Sequence, residues 1–390
     1  MSEFPRDVHI VFWRDIHALR EKGVEVSLIS TRRPDQRLCR HSFAKEASEN
    51  THYVYPPQWI PAMSVLASNP LGTLKALAYI AGLKETHPMK RLICLGHLVC
   101  AADLLAYCRK TRIDYIYMQN PNKSGHIPAL CRILGGPRYC VRYGGHIDVY
   151  GCDHASRLRY ASFAVVAVRA HVDGVLEKAG FLNGRVVQIW MGVDTAKFVD
   201  AGRRSYAKCR LHAVTVARLI HGKGHVYVLQ AIRRALDSGV DIEYTIVGCG
   251  PDRKLIEDEI SRLDLGGNVH LTGTLSEDEV LDLLQMADVF ILASVGEFEG
   301  APNAVKEAMS CAMPVICSIV GGTGEMIGHG VDGLLVGQKD YAAISDALID
   351  LAWNPGKRRL LGEAARRKAV ALFDYRESAS KLIAAMEKYR

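Results

Sequence analysis

The sequence predicts an α/β protein of two doubly wound domains, and three observations carry that expectation. Short apolar runs of strand length alternate with amphipathic segments of helix length along most of the chain. Several of those runs, residues 161–168 above all, are continuously apolar rather than alternating, as parallel strands buried on both faces must be. At 390 residues the chain exceeds one ordinary core and suits two.

In the first half, residues 7–22 place Val8, Phe12, Ile16 and Leu19 on one face at helical spacing, with Gly23 as the stop. Residues 24–30 alternate as a strand. A helix feeding a strand is the βαβ rhythm, and the strand that should precede the helix is nearly absent, so either translation starts upstream or the sheet lacks a central strand. Residues 56–83 are apolar and punctuated by Pro56, Pro57, Pro61, Pro70 and Gly72, which predicts short helices. Trp59 and the nearby Lys75, Lys84, Lys90 and Arg91 also suit a peripheral membrane contact. Residues 113–117, 139–143, 161–168 and 186–190 read as strands, and the polar stretch 199–208 as the domain boundary.

The second half repeats the rhythm more plainly. Strands are expected at 213–217, 243–247, 269–272, 289–293 and 314–317, and helices at 225–237, 252–263, 276–286 and 303–311. A last helix is expected near 376–388. Ligands of such sheets collect at the carboxyl ends of the strands.

Composition narrows the class. With 49% hydrophobic and 23% charged residues the chain is neither disordered nor collagen-like. No run of 18 uninterrupted apolar residues and no basic-then-apolar leader is present, so a cytoplasmic protein is expected. Its 11 cysteines are scattered without a CxxC pair, which disfavours a disulfide framework or a zinc cluster. Cys249, between two glycines, is the one whose reactivity merits a test. Charge is unevenly spread: residues 1–200 hold 26 Lys+Arg against 17 Asp+Glu (+9), and residues 201–390 hold 23 against 25 (−2). The basic half suggests an anionic partner such as a lipid diphosphate, an acidic membrane or nucleic acid, although solvated surface charge accounts for any single residue.

Four segments carry chemistry. Arg218 and Lys223 stand five apart in a loop leaving a strand, where both cations can converge on a diphosphate. Gly248-Cys249-Gly250-Pro251 follows the next strand and lets backbone approach closely. Glu299-Gly300-Ala301-Pro302-Asn303-Ala304-Val305-Lys306-Glu307 spaces two carboxylates across a helix start, with Pro302 or Asn303 opening the helix and the N–H groups of Asn303 and Ala304 facing a phosphate. Gly321-Gly322-Thr323-Gly324-Glu325 is the fourth.

In order and spacing these segments, across most of residues 212–337, resemble the retaining GT-B glycosyltransferases of family four. That resemblance implies two Rossmann-like domains facing across a cleft: an acceptor domain over 1–200, a nucleotide-sugar domain over 208–375, and a terminal helix, 376–390, that crosses back to the first. It implies transfer of a sugar from a UDP- or GDP-linked donor to a glycan or lipid-linked acceptor with retention of configuration. Arg218 and Lys223 would replace a metal at the leaving diphosphate, so no metal and no other cofactor is expected. Glu299 would touch the transferred sugar, Glu307 the ribose hydroxyls and Gly273 the base; Gly248 and Gly250 would let backbone approach the nucleotide where a side chain would clash, and Gly300, Ala301, Pro302, Asn303 and Ala304 would complete the donor site. No nucleic-acid partner is implied.

The first half matches through Ser2-Glu3-Phe4-Pro5-Arg6, Arg14-Asp15-Ile16 and Ala18-Leu19, which look like the opening of exopolysaccharide-type members. Those members carry Ser-Glu-Thr-Phe where this chain has Val8-His9-Ile10-Val11. Tyr143-Gly144-Gly145-His146-Ile147-Asp148 resembles a segment ending in His-Gly-x-Asp whose histidine lies near the transferred sugar. Aligned on Asp148, that position is Gly145, and His146 is displaced by one. Two alternatives stay open at this point: a nucleotide-sugar epimerase or hydrolase of the same fold, and a non-catalytic subunit.

Overall fold

The computed structural model describes residues 3–6, 9–35, 39, 41, 43–179, 184–204, 210–296 and 300–390. Ser2, Val8, Cys209 and Glu299 lie outside the described residues. The chain divides into two compact units, residues 1–190 with 378–390, and residues 191–377.

In unit 1 the opening amphipathic stretch forms α1 (Ile10–Glu21), which buries Val11, Phe12, Ile16, Ala18 and Leu19. It ends at Gly23, whose φ of +79° suits a residue without a Cβ. Next come β1 (Leu28–Ser30), α2 (Ala44–Glu49) and β2 (Thr51–Tyr53), with β1 and β2 paired in parallel. The strand expected over 24–30 is thus only its last three residues. Among the described strands β1 pairs with β2 alone, so residues 24–27 have no ladder to join.

The punctuated apolar segment is two short helices, α3 (Trp59–Ser68) and α4 (Pro70–Ala81). Asn69 caps α4 by accepting from the Gly72 N–H at 2.9 Å. Then comes α5 (Pro88–Thr111), which buries Cys94, Leu98, Ala101, Leu104, Leu105 and Cys108. This helix is long and apolar enough to cross a membrane, and half of its apolar window is buried inside the unit.

Four parallel strands complete unit 1: β3 (Tyr115–Gln119), β4 (Arg138–Tyr143), β5 (Ala164–Val166) and β6 (Val186–Gln188), separated by α6 (His126–Ile133), α7 (His154–Leu158) and α8 (Ala170–Ala179). The apolar run 161–168 contributes only Ala164–Val166 to the ladder, although Phe163, Ala167 and Val168 are as fully buried.

Unit 2 follows the expected rhythm closely. Its elements are β7 (Leu211–Val216), α9 (His225–Asp237), β8 (Ile242–Val247), α10 (Arg253–Arg262), β9 (Val269–Gly273), α11 (Glu277–Met286), β10 (Val289–Leu292), α12 (Asn303–Ser310), β11 (Val315–Ser318), α13 (Thr323–Met326), β12 (Leu334–Val336), α14 (Tyr341–Trp353) and α15 (Pro355–Leu372). The sheet is wholly parallel in the order β12-β11-β10-β7-β8-β9. Ser276 and Glu279 form a reciprocal cap at the start of α11. The final helix, α16 (Tyr375–Lys388), begins in unit 2, and its residues from Ser378 on belong to unit 1.

The units part between Trp190 and Met191, upstream of the polar stretch 199–208, because the chain after Met191 is already bonded into unit 2. Val193 N donates to Phe373 O at 2.7 Å and Tyr375 N to Val193 O at 3.1 Å. Arg204, inside that stretch, is buried and donates to the carbonyls of Leu284, Ala287, Cys311 and Ala312.

Candidate functional site

The strand order of unit 2 fixes where a ligand can collect. β7 is flanked by β8 on one side and β10 on the other, so the direction of winding reverses between β7 and β10. The crevice beyond the carboxyl ends at such a switch point is where open α/β sheets bind ligands.

Backbone bonds knit the loops around that point. Val295 N donates to Gly222 O at 2.9 Å, Leu219 N to Cys249 O at 3.0 Å, Gly248 N to Gly273 O at 2.8 Å and Gly322 N to Gly300 O at 3.0 Å. All four sequence segments therefore lie at the carboxyl end of one sheet.

The glycines serve that convergence directly. A Cβ on Gly248 would lie 1.9 Å from the Ala217 carbonyl oxygen, and one on Gly250 would lie 2.2 Å from that of Leu219. The space their missing side chains leave is filled by the chain's own backbone rather than held open for a ligand. Gly224 is alike: φ is +67° and a Cβ would fall 1.8 Å from Ala293 O. Gly273, with φ +76°, has nothing within 4 Å of such a Cβ.

Arg218 is exposed and Lys223 half-buried in the loop after β7. The backbone between them is braced by His225, whose buried ring donates Nε2–H to Arg218 O at 3.0 Å. Burial, reinforced by the Lys223 charge, holds that imidazole below its ordinary range, so it stays neutral while it braces the loop.

On the β10 side Pro302 caps α12 and Asn303 is its first residue. The first N–H groups of a helix lack intrahelical acceptors, so those of Asn303 and Ala304 are available to an anion. Asn303 Oδ1 is buried without a hydrogen-bond partner. Glu307 is the fifth residue of α12 and buried, and Gly300, Ala301 and Pro302 ahead of the helix are buried as well. Glu299 lies outside the described residues. Cys249 is exposed in its loop. Among the described residues no group of three or more His, Cys, Asp or Glu could hold a metal ion.

Sequence reasoning passed over two residues that shape this site. Lys306 is fully buried, and its Nζ donates to Met191 O, fastening α12 to the segment that opens the unit. Arg366 donates to the carbonyls of Thr195, Phe198 and Ser310, each at 2.8 Å. The one available signal was a lysine next to Val305 and two residues before Ala308-Met309, within a short helix of mostly apolar or small residues.

His146 belongs to unit 1. Its Nδ1 lies 3.3 Å from Asp148, which also pairs with Lys178, and its ring meets His171 edge-on at 5.6 Å. The preceding turn is pinned by Tyr150, whose hydroxyl accepts from Gly144 N and Gly145 N, both at 3.0 Å, and donates to Asn120 at 3.1 Å.

Residues 207–368 match the family described as glycosyl transferases group 1, nearly the full extent of unit 2. The second unit is thus similar over most of its length to the group 1 glycosyltransferases. Over 179 residues the chain is 32% identical to WcaL of Escherichia coli K12, named as a colanic acid biosynthesis glycosyltransferase, covering 45% of this chain and 44% of that one. It is 34% identical over 166 residues to the amylovoran biosynthesis glycosyltransferase AmsK of Erwinia amylovora, covering 42% and 40%. The chain thus spans less than half the length of these curated relatives. The crystal structure of HepE from Anabaena in complex with UDP-glucose aligns over 99% of this chain and 97% of that one, with a TM-score of 0.72 at 14% identity. That likeness is one of fold, and the fold is GT-B.

Proposed function

We propose that this protein transfers a sugar from a UDP- or GDP-linked donor to a growing glycan or lipid-linked acceptor in polysaccharide assembly, with retention of configuration and without a metal. The observation that carries the proposal is the gathering of Arg218, Lys223 and the start of α12 around the switch point of unit 2. Two cations and a helix N-terminus are chemistry suited to the charge that accumulates on a leaving diphosphate. Glu307, within α12, is assigned to the ribose hydroxyls, and Glu299 to the hydroxyls of the transferred sugar. The leaving phosphate oxygen then takes the acceptor proton on the same face of the sugar, which needs no protein base. In unit 1 His146 is assigned to the acceptor side. Relatives named as glycosyltransferases support transfer over epimerisation or hydrolysis.

The protein is further proposed to work at the cytoplasmic face of an anionic membrane. Support comes from exposed apolar side chains clustered on α3, α4 and the start of α5, including Ile60 at 86% and Met89 at 74% exposure, with Lys75, Lys84 and Lys90 exposed among them.

The test is transfer from UDP- and GDP-sugars to lipid-linked oligosaccharide acceptors in excess EDTA, with the anomer read by NMR. Retained product with the donor's configuration is expected, and Arg218→Ala or Lys223→Ala should each slow transfer about 100-fold or more. Activity lost in EDTA and restored by magnesium or manganese, or an inverted product, overturns the mechanism.

A further inference from the structure

The turn that carries His146 is held by more than its own backbone. Strand β4 ends at Tyr143, and the next two residues, Gly144 and Gly145, have the freest backbone a chain can offer. Both of their N–H groups donate to one acceptor, the hydroxyl of Tyr150, which donates in turn to Asn120 Oδ1 in the loop after β3. The Tyr150 ring is buried and meets Tyr143 edge-on at 5.4 Å. One phenol thus closes the turn from Tyr143 to Tyr150 against the carboxyl end of β3.

Tyr150 is itself anchored. Its carbonyl accepts from Arg157 Nη1 at 2.8 Å, and the same nitrogen donates to Pro121 O at 2.9 Å. Asp153, His154 and Arg157 are all buried. His154 donates Nε2–H to Gly151 O at 2.8 Å, and its Nδ1 lies 3.4 Å from the Tyr143 hydroxyl.

Asp153 carries the bonding outward. Its carboxylate accepts from Glu85 N at 3.0 Å and from the Thr86 hydroxyl at 2.6 Å, while its own N–H donates to Glu85 Oε2 at 2.8 Å. Burial pushes this carboxyl up, but its bonds from Thr86 and Glu85 outweigh that and hold it below the usual carboxylate range. A buried carboxylate with both oxygens bonded makes a strong clasp. Glu85 and Thr86 lie in the loop between α4 and α5, where exposed Lys84, Met89 and Lys90 belong to the apolar and basic face.

We propose that Tyr150 and Asp153 are positioning residues for the acceptor: through them the turn bearing His146 and the loop that opens α5 form one hydrogen-bonded body. The acceptor glycan is then met at a fixed place relative to the face assigned to the membrane. This role rests on the assignment of His146 to the acceptor side.

The experiment compares the parent protein with Tyr150→Phe, which keeps the ring and removes the hydroxyl, and with Asp153→Asn and Thr86→Val, which weaken the clasp from its two sides. Amide hydrogen exchange at Gly144 and Gly145 is followed without substrate, and transfer is measured with the donor and a lipid-linked oligosaccharide acceptor varied separately. Tyr150→Phe should speed exchange at both glycines and raise the acceptor KM, each about tenfold or more, with the donor KM within about twofold of the parent. Asp153→Asn should move both readouts the same way. Thr86→Val, isosteric and in a different loop, checks the same link without risk to the fold and should speed the glycine exchange about threefold. An acceptor KM unchanged in Tyr150→Phe, a donor KM that rises equally, or parent-like glycine exchange in Thr86→Val overturns the proposal. If the parent protein transfers no sugar, the transferase reading falls; exchange, which needs no substrate, still decides the coupling, faster rates in Thr86→Val upholding it and parent-like rates overturning it.

Discussion

Arg203 and Arg204 are neighbours of the same chemistry in a polar stretch, and nothing in their sequence distinguishes them. In the folded protein Arg203 is exposed and pairs with Asp282 at 2.7 Å, whereas Arg204 is buried, with its guanidinium on the last carbonyls of α11 and on those following α12. A cation at two helix C-termini satisfies acceptors that have no intrahelical donor. Replacing Arg204 by Met would leave those carbonyls buried and unpaired, so a loss of about 2–4 kcal/mol in unfolding free energy is expected. Arg203→Met should cost under about 0.5 kcal/mol, as exposed pairs generally do. Urea denaturation of both variants checks the contrast, and equal losses would show that Arg204 is not the cap described. Side-chain burial of this kind depends on which distant segments pack overhead, which no local pattern reports. The same holds for Lys306, whereas Arg218, Lys223 and Glu307 were legible because they keep fixed offsets from strand ends and a helix start.

At the scale of elements, unit 2 was the more legible half because β7, β8, β10 and β11 are buried along most of their length and helices such as α9, α10 and α12 carry a clear apolar stripe. Helix α9 falls where its periodicity placed it, at His225–Asp237, with Val228, Leu229, Ile232 and Ala235 buried on one side. Unit 1 was harder for a physical reason. Helix α5 is apolar nearly all round, so its stripe is weak, and β1 lacks the second neighbour that would extend it. Exposed apolar residues on α3 and α4, Trp59, Ile60, Met63, Leu71 and Leu74, explain why that segment reads equally as core or as membrane contact. Arg91 is set apart from the cationic group, since it donates to the carbonyls of Ala81 and Thr86 and closes the turn between α4 and α5. Vesicles containing anionic lipid should therefore co-sediment the protein at low salt, with release as ionic strength rises. The triple change Lys75→Gln, Lys84→Gln, Lys90→Gln should weaken binding, at about 1 kcal/mol for each charge, without affecting donor affinity. Equal sedimentation with neutral vesicles would refute the electrostatic part of this reading.

For the whole molecule, acid is the condition to which the buried histidines respond. Burial and the neighbouring Arg157 and His97 charges push His126 down to about 3, with Asp153 and His154 also close, and its Nδ1 is bonded to Tyr79 at 2.8 Å. His97, His154 and His225 are lowered by burial as well. A histidine lowered on folding binds its proton more readily in the unfolded chain, so stability is complete above about pH 6.5 and is lost as pH falls toward 3. His126 contributes a slope of up to about 1.4 kcal/mol per pH unit in that window, and the other three add to the fall below about pH 6.5. Urea midpoints at pH 7, 5.5 and 4.5 should fall steadily, and His126→Gln should flatten the fall; an unchanged slope in that variant would count against this assignment. One backbone feature reaches further. The segment that leads into unit 2 and the one that leads out lie side by side, Val193 bonded to Phe373 and Tyr375, and so close at Gly192 that a Cβ there would sit 2.2 Å from the Tyr375 Cα. Residues 191–377 are therefore an insert with adjacent ends, the arrangement that lets a whole domain be cut out, expressed alone or exchanged for another as a cassette, with only two neighbouring junctions to rejoin.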